Sequence, residues 1–191
     1  MKNPLAVINL TNHFLISMPH LRGGSFEQTL TYVCEHTEEG AMGLVVNRPL
    51  DLSFAELLGH LEMSIAPVQD AESPIYTGGP VKGDRGFILH RPVDHAWGSS
   101  YAVSEELHLT TSTDILRAIA EGWGPKDYLM ALGYAGWDAG QLEQEILDNS
   151  WLSCPVDLDI LFKTAAASRL GAAANSLGVN LDLLSAQSGH A

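Results

Sequence analysis

One uninterrupted apolar segment, residues 128–134, constrains the fold of this chain more than any other feature of its sequence. The segment has the length of a strand, and it lacks the strict alternation expected of a strand with one face in water. Apolar side chains therefore project to both sides. The sequence predicts a strand covered on both faces, near the middle of a sheet, with the rest of the chain organised around it.

The residues that follow predict a tight turn, a capped helix and a returning strand. A sharp reversal is expected at residues 135–137. Asp138 and Gln141 then have the spacing of a capping box, in which both side chains bind free backbone amides at the start of a helix, worth roughly 1 kcal/mol. Asn149 tolerates the left-handed conformation that ends a helix, and residues 151–154 form the returning leg.

Length and charge limit the domain organisation and the partners. The chain has 191 residues, 46% of them hydrophobic, which favours one compact domain, and a flexible tail is expected at residues 181–191. It carries 10 basic and 23 acidic residues, a formal charge of −13. Such a field repels phosphate backbones and anionic lipids. We therefore expect no direct nucleic-acid partner and no membrane partner.

Cysteine usage and the N-terminal residues predict a cytoplasmic location. Cys34 and Cys154 are too few for a disulfide framework and lack CxxC spacing, which favours a reducing compartment. The apolar residues at 5–10 are interrupted by Asn9, and the stretch is too short for a signal peptide or a membrane span.

Elsewhere the sequence predicts short strands and a few capped helices. Residues 29–36 alternate, which predicts a half-exposed strand, and residues 43–46 form the second arm of a hairpin. Ser53 and Glu56 make a capping box that opens a short helix, with Leu61 facing the core. Strands outnumber helices and do not alternate with them in βαβ order, which favours an α+β fold over a doubly wound sheet.

Five blocks of sequence carry a resemblance to a known family. They are HFLISMP at 13–19, GLVVNRP at 43–49, GGPV at 78–81 with GFILH at 86–90, TSTD at 111–114, and ALGYAGWDAGQL at 131–142. Their order and spacing resemble the AlgH/YqgE family from about residue 10 to 180. The five blocks together make a chance similarity very improbable.

The resemblance implies a cytosolic bacterial protein with a single α+β domain. Its sheet is expected to be bifurcated, mostly antiparallel and curled into a pseudo-barrel, with helices packed outside. The family also carries the description of transcriptional regulator, which describes a genetic role. It has no settled catalytic residues, so the resemblance supplies no mechanism.

Cys34, His36 and His90 are the candidate catalytic residues. Cys34 and His36 share one face of a strand, and His90 ends another strand, where we expect it to be partly exposed. A zinc site would need further ligands such as Cys154, and nothing in the spacing demands one, so no metal and no cofactor is predicted. The preferred interpretation is a buried cysteine beside a surface histidine, because acidic neighbours such as Glu35 raise a thiol pKa.

Six residues are candidates for binding a ligand. Arg48 follows Asn47 at a strand end, and its guanidinium can bind a carboxylate or phosphate through two parallel hydrogen bonds. The favoured interpretation of Arg48 is nevertheless an internal salt bridge that orders the following loop. Gly78 and Gly79 offer backbone amides to an anion. Tyr134 and Trp137 flank the expected turn and can stack a flat ligand, although aromatic residues at such corners are more often core anchors.

Three classes of function remain open. The preferred one is an interaction protein, a monomer or weak homodimer, that acts indirectly on gene expression through protein contacts. The second is a binding module for a small anionic or aromatic metabolite near Arg48, Gly78, Gly79 and Trp137. The third is a thiol-redox or hydrolytic enzyme that uses Cys34 with a histidine.

Overall fold

The computed structural model describes residues 8–187, which contain ten strands and six helices. The strands are β1 (His13–Ser17), β2 (Leu30–Thr37), β3 (Gly40–Val45), β4 (Pro49–Ser53), β5 (Pro74–Thr77), β6 (Val81–His90), β7 (Ser100–Ala102), β8 (His108–Thr110), β9 (Tyr128–Asp138) and β10 (Trp151–Pro155). The helices are α1 (Phe54–His60), α2 (Asp114–Ala120), α3 (Gln141–Leu147), α4 (Leu158–Phe162), α5 (Ala166–Ser176) and α6 (Leu181–Gln187).

The sheet is organised around β9. The strand order is β10-β1-β2-β3-β9-β6-β8-β7, with β4 and β5 on a branch. One edge of β9 pairs with β6, whereas the other edge is divided between two partners: residues 130–132 pair with β5 in parallel, and residues 135–138 pair with β3 antiparallel. The predicted α+β fold, with a bifurcated, mostly antiparallel and curled sheet in a single domain, is confirmed.

The reversal expected at residues 135–137 is wrong. The strand continues to Asp138, because Gly133 adopts a left-handed φ of 75° and lets the chain bend while it remains in the sheet. Trp137 pairs with Ala41 of β3. The glycine that permits a turn therefore lets β9 bend and change its pairing partner from β5 to β3.

The predicted capping box after this strand forms only in part. The Gln141 side chain accepts a hydrogen bond from the Asp138 amide at 2.9 Å, whereas helix α3 begins after Gly140 without a side-chain cap. Asn149 has the expected left-handed φ, at 56°. The returning leg forms strand β10, which pairs with β1 at the edge of the sheet.

The β2–β3 hairpin is confirmed, but the expectation of a half-exposed β2 is wrong. Tyr32 and Cys34 belong to the largest core cluster, and Val33, which points the other way, packs in a second core with Leu142 and Trp151. Leu142 of helix α3 and Trp151 of strand β10 therefore cover the second face of β2. Long-range packing, which alternation does not encode, buries both faces.

Helix α1 has the predicted capping box, with Ser53 and Glu56 bonded in both directions. Phe54 and Leu58 are buried, but Leu61 lies past the helix end and is 44% exposed, so the expectation that it faces the core is wrong.

Helix α6 lies within the segment predicted as a tail. Residues 188–191 of that tail, and residues 1–7 at the N-terminus, lie outside the described part of the chain.

None of the helices within residues 8–187 is both long enough and apolar enough to cross a lipid bilayer.

Candidate functional site

His90 is buried, with 1% of its surface exposed, so the expectation of partial exposure is wrong. Strand β8 covers it and pairs His90 with His108. Its Nδ1–H donates to the Arg91 carbonyl at 2.8 Å, and its Nε2 lies 2.8 Å from the Thr110 hydroxyl. Burial lowers the pKa of His90, with a smaller lowering from His108 and an opposing effect of the Arg91 carbonyl. Through its contact with Thr110, His90 joins strands β6 and β8.

The two thiols are buried and unbonded to one another. Burial raises the pKa of Cys34 far above its usual value, and the charge of Glu35 raises it further. Burial also raises the pKa of Cys154, with a contribution from Asp157 against a lowering hydrogen bond with Ser176. Because the thiolate is the nucleophile, neither sulfur is ready for attack at neutral pH.

His36 is buried as well, which corrects the interpretation of a surface histidine. Its Nδ1 accepts a hydrogen bond from the Leu10 amide at 3.1 Å, and its Nε2 lies 3.0 Å from the carboxylate of Glu143. Helix α3 carries Glu143 over the end of β2 and covers the ring. Both nitrogens of His36 are therefore occupied by structural contacts.

The structure does not bring the two histidines together. His36 lies on β2 and His90 on β6, and strands β3 and β9 separate them in the sheet. His36 aligns through Ala41 with Trp137 of β9, whereas His90 pairs with Tyr128, so a stretch of β9 that spans roughly 30 Å, at about 3.3 Å per residue, also separates them along the strands. Within residues 8–187 there is no group of three or more His, Cys, Asp or Glu side chains positioned to hold a metal ion.

Arg48 and Asn47 order the loop that precedes β2. The Arg48 guanidinium donates to the carbonyl of Ser25 at 2.7 Å and to that of Glu27. Asn47 accepts from the Leu30 amide and donates through its side-chain amide to a loop carbonyl, at 2.9 and 3.0 Å. Within residues 8–187 Arg48 forms no salt bridge, so the favoured one to the following loop is not found there; its guanidinium binds backbone carbonyls of the loop before β2 instead.

Arg48 and Gly79 do lie together. They line a small cavity of about 180 Å³ with Ser25, Val45, Thr77 and Pro80. Gly78 is used differently: its amide donates to the Leu132 carbonyl, and its carbonyl accepts from Val45. The backbone of Gly78 therefore belongs to the sheet, while Gly79 borders the cavity beside Arg48.

Tyr134 and Trp137 are packed among other aromatic rings. Trp137 is 5% exposed, stacks on Phe26 with a centroid distance of 6.0 Å, and donates its indole N–H to Glu145 at 2.8 Å. Tyr134 meets Phe87 edge-on at 5.8 Å. Neither aromatic residue lines the cavity beside Arg48.

An aromatic surface formed by His95, Trp97 and Trp123 was not anticipated from the sequence. Trp123 is 52% exposed and stacks on Trp97 at 5.8 Å, with the ring planes 27° apart. The His95 ring lies 4.3 Å from Trp97 and 5.3 Å from Trp123. The signal that could have found it is a tryptophan between the turn-forming Gly122 and Gly124, where burial is not expected.

Two hydrogen-bonding details distinguish this aromatic surface. The exposed Trp123 ring donates its N–H to the carboxylate of Glu121 at 2.8 Å, which fixes its orientation. The indole N–H of Trp97 is buried without a hydrogen-bond partner within the described residues. Buried donors are rarely left unpaired, because each costs free energy.

The curled, bifurcated sheet with its surrounding helices defines a single-domain α+β protein. The family model described as AlgH-like matches residues 14–182, and the chain belongs to this family. A UPF0301 protein of Thioalkalivibrio sulfidiphilus is 55% identical over 183 residues, covering 96% of this chain and 97% of that protein. A UPF0301 protein of Pseudomonas putida is 55% identical over 188 residues, covering 98% of each chain.

Two solved structures are similar to this one. The solution structure of the AlgH protein from Pseudomonas aeruginosa matches with a TM-score of 0.79 and 52% identity, covering all of both chains. A crystal structure from Corynebacterium diphtheriae matches with a TM-score of 0.73 at 17% identity, covering 92% of this chain and 91% of the other. The second likeness is one of fold alone.

Proposed function

We propose that this protein acts indirectly on gene expression by contact with another protein, and that the aromatic surface of His95, Trp97 and Trp123 is the contact. The observation that carries the proposal is the half-exposed Trp123 ring, which stacks on Trp97 and donates its indole N–H to Glu121. Tryptophan is enriched among the few residues that supply most of the binding energy in protein interfaces. A ring fixed before binding loses little conformational freedom when a partner covers it.

The unpaired indole N–H of Trp97 supports the same conclusion. Its donor is buried next to the exposed ring, without a partner within residues 8–187. A small repacking on binding would let an acceptor on the partner complete this bond and recover the cost of leaving it unmade.

The charge of the protein supports an indirect effect. A formal charge of −13 opposes association with a DNA backbone. The occupied nitrogens of His36 and His90 and the buried Cys34 thiol favour a non-catalytic role. Both cysteines are free, which supports a reducing, cytoplasmic compartment.

Site-specific photo-crosslinking tests the proposed contact. A photoreactive phenylalanine replaces Trp123 in one variant and Tyr101, which is 44% exposed on β7, in a matched control. In living Pseudomonas cells we expect a discrete covalent adduct with one protein from position 123 and none from position 101. Equal labelling at both positions, or no adduct at position 123, would contradict the proposal.

A mobility-shift measurement tests the indirect action separately. At physiological salt the purified protein is expected to leave promoter DNA unretarded. Tight, sequence-specific retention would show direct DNA binding and overturn the charge argument.

A further inference from the structure

Two guanidinium groups that contact the backbone at or near residues 46–48 have no acidic partner within the described part of the chain. Arg48 binds the carbonyls of the preceding loop. Arg169, on α5, is 6% exposed and donates to the Val46 carbonyl at 2.5 Å and to the Thr164 carbonyl at 2.9 Å. Its guanidinium also lies 5.1 Å from the centre of the Tyr76 ring. Among residues 8–187, neither arginine forms an ion pair with a carboxylate.

The absence of an acidic partner is notable in this chain, where 23 acidic residues outnumber 10 basic ones. A buried charge normally has a counter-charge, because carbonyl dipoles alone replace only part of its hydration. Glu27 is close enough for its backbone carbonyl to accept from Arg48, yet its carboxylate accepts instead from the Gly23 amide at 2.9 Å. The Glu27 carboxylate is therefore not the counter-charge of Arg48.

A cavity lies between Arg48 and the beginning of α5. It has a volume of about 480 Å³ and is lined by Glu27, Gln28, Asn47, Arg48, Ala167 and Leu170. Arg48 lines both this cavity and the smaller one beside Gly79. The volume falls within the range of small-molecule sites.

The beginning of α5 adds to the positive potential. Ala167 lies in its first turn and lines the cavity, while the helix has no side-chain cap and no acidic residue in that turn. The partial positive charge of a helix N-terminus is therefore not neutralised here by the chain itself. Arg169, two residues further along, joins the helix to the Val46 carbonyl.

We propose that this cavity binds a small oxyanion, carrying a phosphate or carboxylate group, through Arg48. A guanidinium has five N–H donors, and the two bonds to loop carbonyls leave three of them for a ligand. Arg169 does not line the cavity and acts as a positioning residue, because it holds α5 against Val46. Arg48 also lines the smaller cavity beside Gly79.

Calorimetric titration and thermal unfolding of the full chain test the site with two probes, inorganic phosphate and citrate. Sodium chloride at equal ionic strength controls for screening of the net charge. At about 100 times Kd, the specific oxyanion is expected to raise the unfolding midpoint by roughly 5–10 °C beyond the salt control. Binding of phosphate alone or citrate alone identifies the preferred group.

Arg48→Gln is the decisive variant, and Arg117→Gln, on the surface of α2, is its matched control. Losing a charged hydrogen-bond donor is expected to raise Kd at least about tenfold in the first variant and to leave it unchanged in the second. Arg169→Lys keeps the positive charge but loses the guanidinium that donates to two carbonyls at once. This variant is expected to fold and to bind the oxyanion more weakly. The proposal is overturned if neither probe binds above the salt control, or if Arg48→Gln binds as tightly as the unmodified chain.

Perturbation of backbone amide signals on titration locates the ligand without any substitution. The largest changes are expected at Arg48 and Ala167. Changes confined to other surfaces would contradict the assigned cavity.

Discussion

The imidazole of His36, on strand β2, lies 3.0 Å from the carboxylate of Glu143, on helix α3. The other ring nitrogen accepts from the Leu10 amide, so the nitrogen facing Glu143 must carry the proton in the neutral ring. The pair fixes the tautomer of a buried histidine and ties the helix to the sheet.

Replacement of Glu143 by alanine is expected to destabilise the protein. The buried N–H of His36 would lose its acceptor, which costs about 1–3 kcal/mol of the free energy of unfolding. Urea denaturation measures the loss, with Glu38→Ala in the exposed hairpin turn as a control within about 0.5 kcal/mol of the unmodified protein. Equal stability of Glu143→Ala and the unmodified protein would show that the contact contributes nothing.

His90 predicts a pH dependence of stability. Its folded-state pKa lies below the unfolded value of about 6.5, so the unfolded chain binds the proton first as pH falls. Its contribution to the free energy of unfolding is complete above about pH 6.5 and is lost as pH falls toward the folded pKa.

His90→Gln is therefore expected to be less stable than the unmodified protein at pH 7.5, with a smaller difference at pH 5.5. Urea denaturation at the two pH values gives the comparison, and exposed His20→Gln controls for general titration. A difference that does not change with pH would refute the role assigned to burial.

Cys34 is expected to resist alkylation in the folded protein. Burial raises the pKa of its thiol, so little thiolate exists at pH 8 and reagents lack access. Mass spectrometry after iodoacetamide treatment should find Cys34 unmodified in buffer and modified in urea. Rapid labelling of Cys34 in buffer would contradict this expectation and support a catalytic role for its thiol.

Gly79 is expected to tolerate no side chain. Its φ is +154°, and an added Cβ would overlap the backbone of Tyr134 on β9. Gly79→Ala is therefore expected to cost more than about 3 kcal/mol of the free energy of unfolding, from strain and displacement of the central strand. Gly83→Ala, where the Cβ would meet nothing within 4 Å, is the matched control and should fold normally.

Local signals in the sequence predicted the elements that they encode directly. The capping box at Ser53 and Glu56 and the hairpin of β2 and β3 depend on residues close in sequence, and both are present. The apolar segment at residues 128–134 correctly indicated the central strand. The change of partner at Gly133 was missed, because it depends on strands β3 and β5, which lie far away in the chain.

Burial of polar groups was the least predictable part of the candidate site. His90 at a strand end gave no sign that β8 would cover it. Arg48 was recognisable as a rare cation at a strand end, whereas Arg169 meets its acceptor, Val46, across 123 residues. Such contacts follow from tertiary packing, which no local pattern records.

A transcript comparison tests most directly the claim that this protein acts through its aromatic surface. Pseudomonas putida lacking its own relative would be complemented with the unmodified chain, Trp123→Ala or Tyr101→Ala, each checked for equal abundance and fold. Trp123→Ala is expected to leave the transcript changes of the deletion uncorrected, while the other two chains restore the original profile. Full restoration by Trp123→Ala would contradict the account.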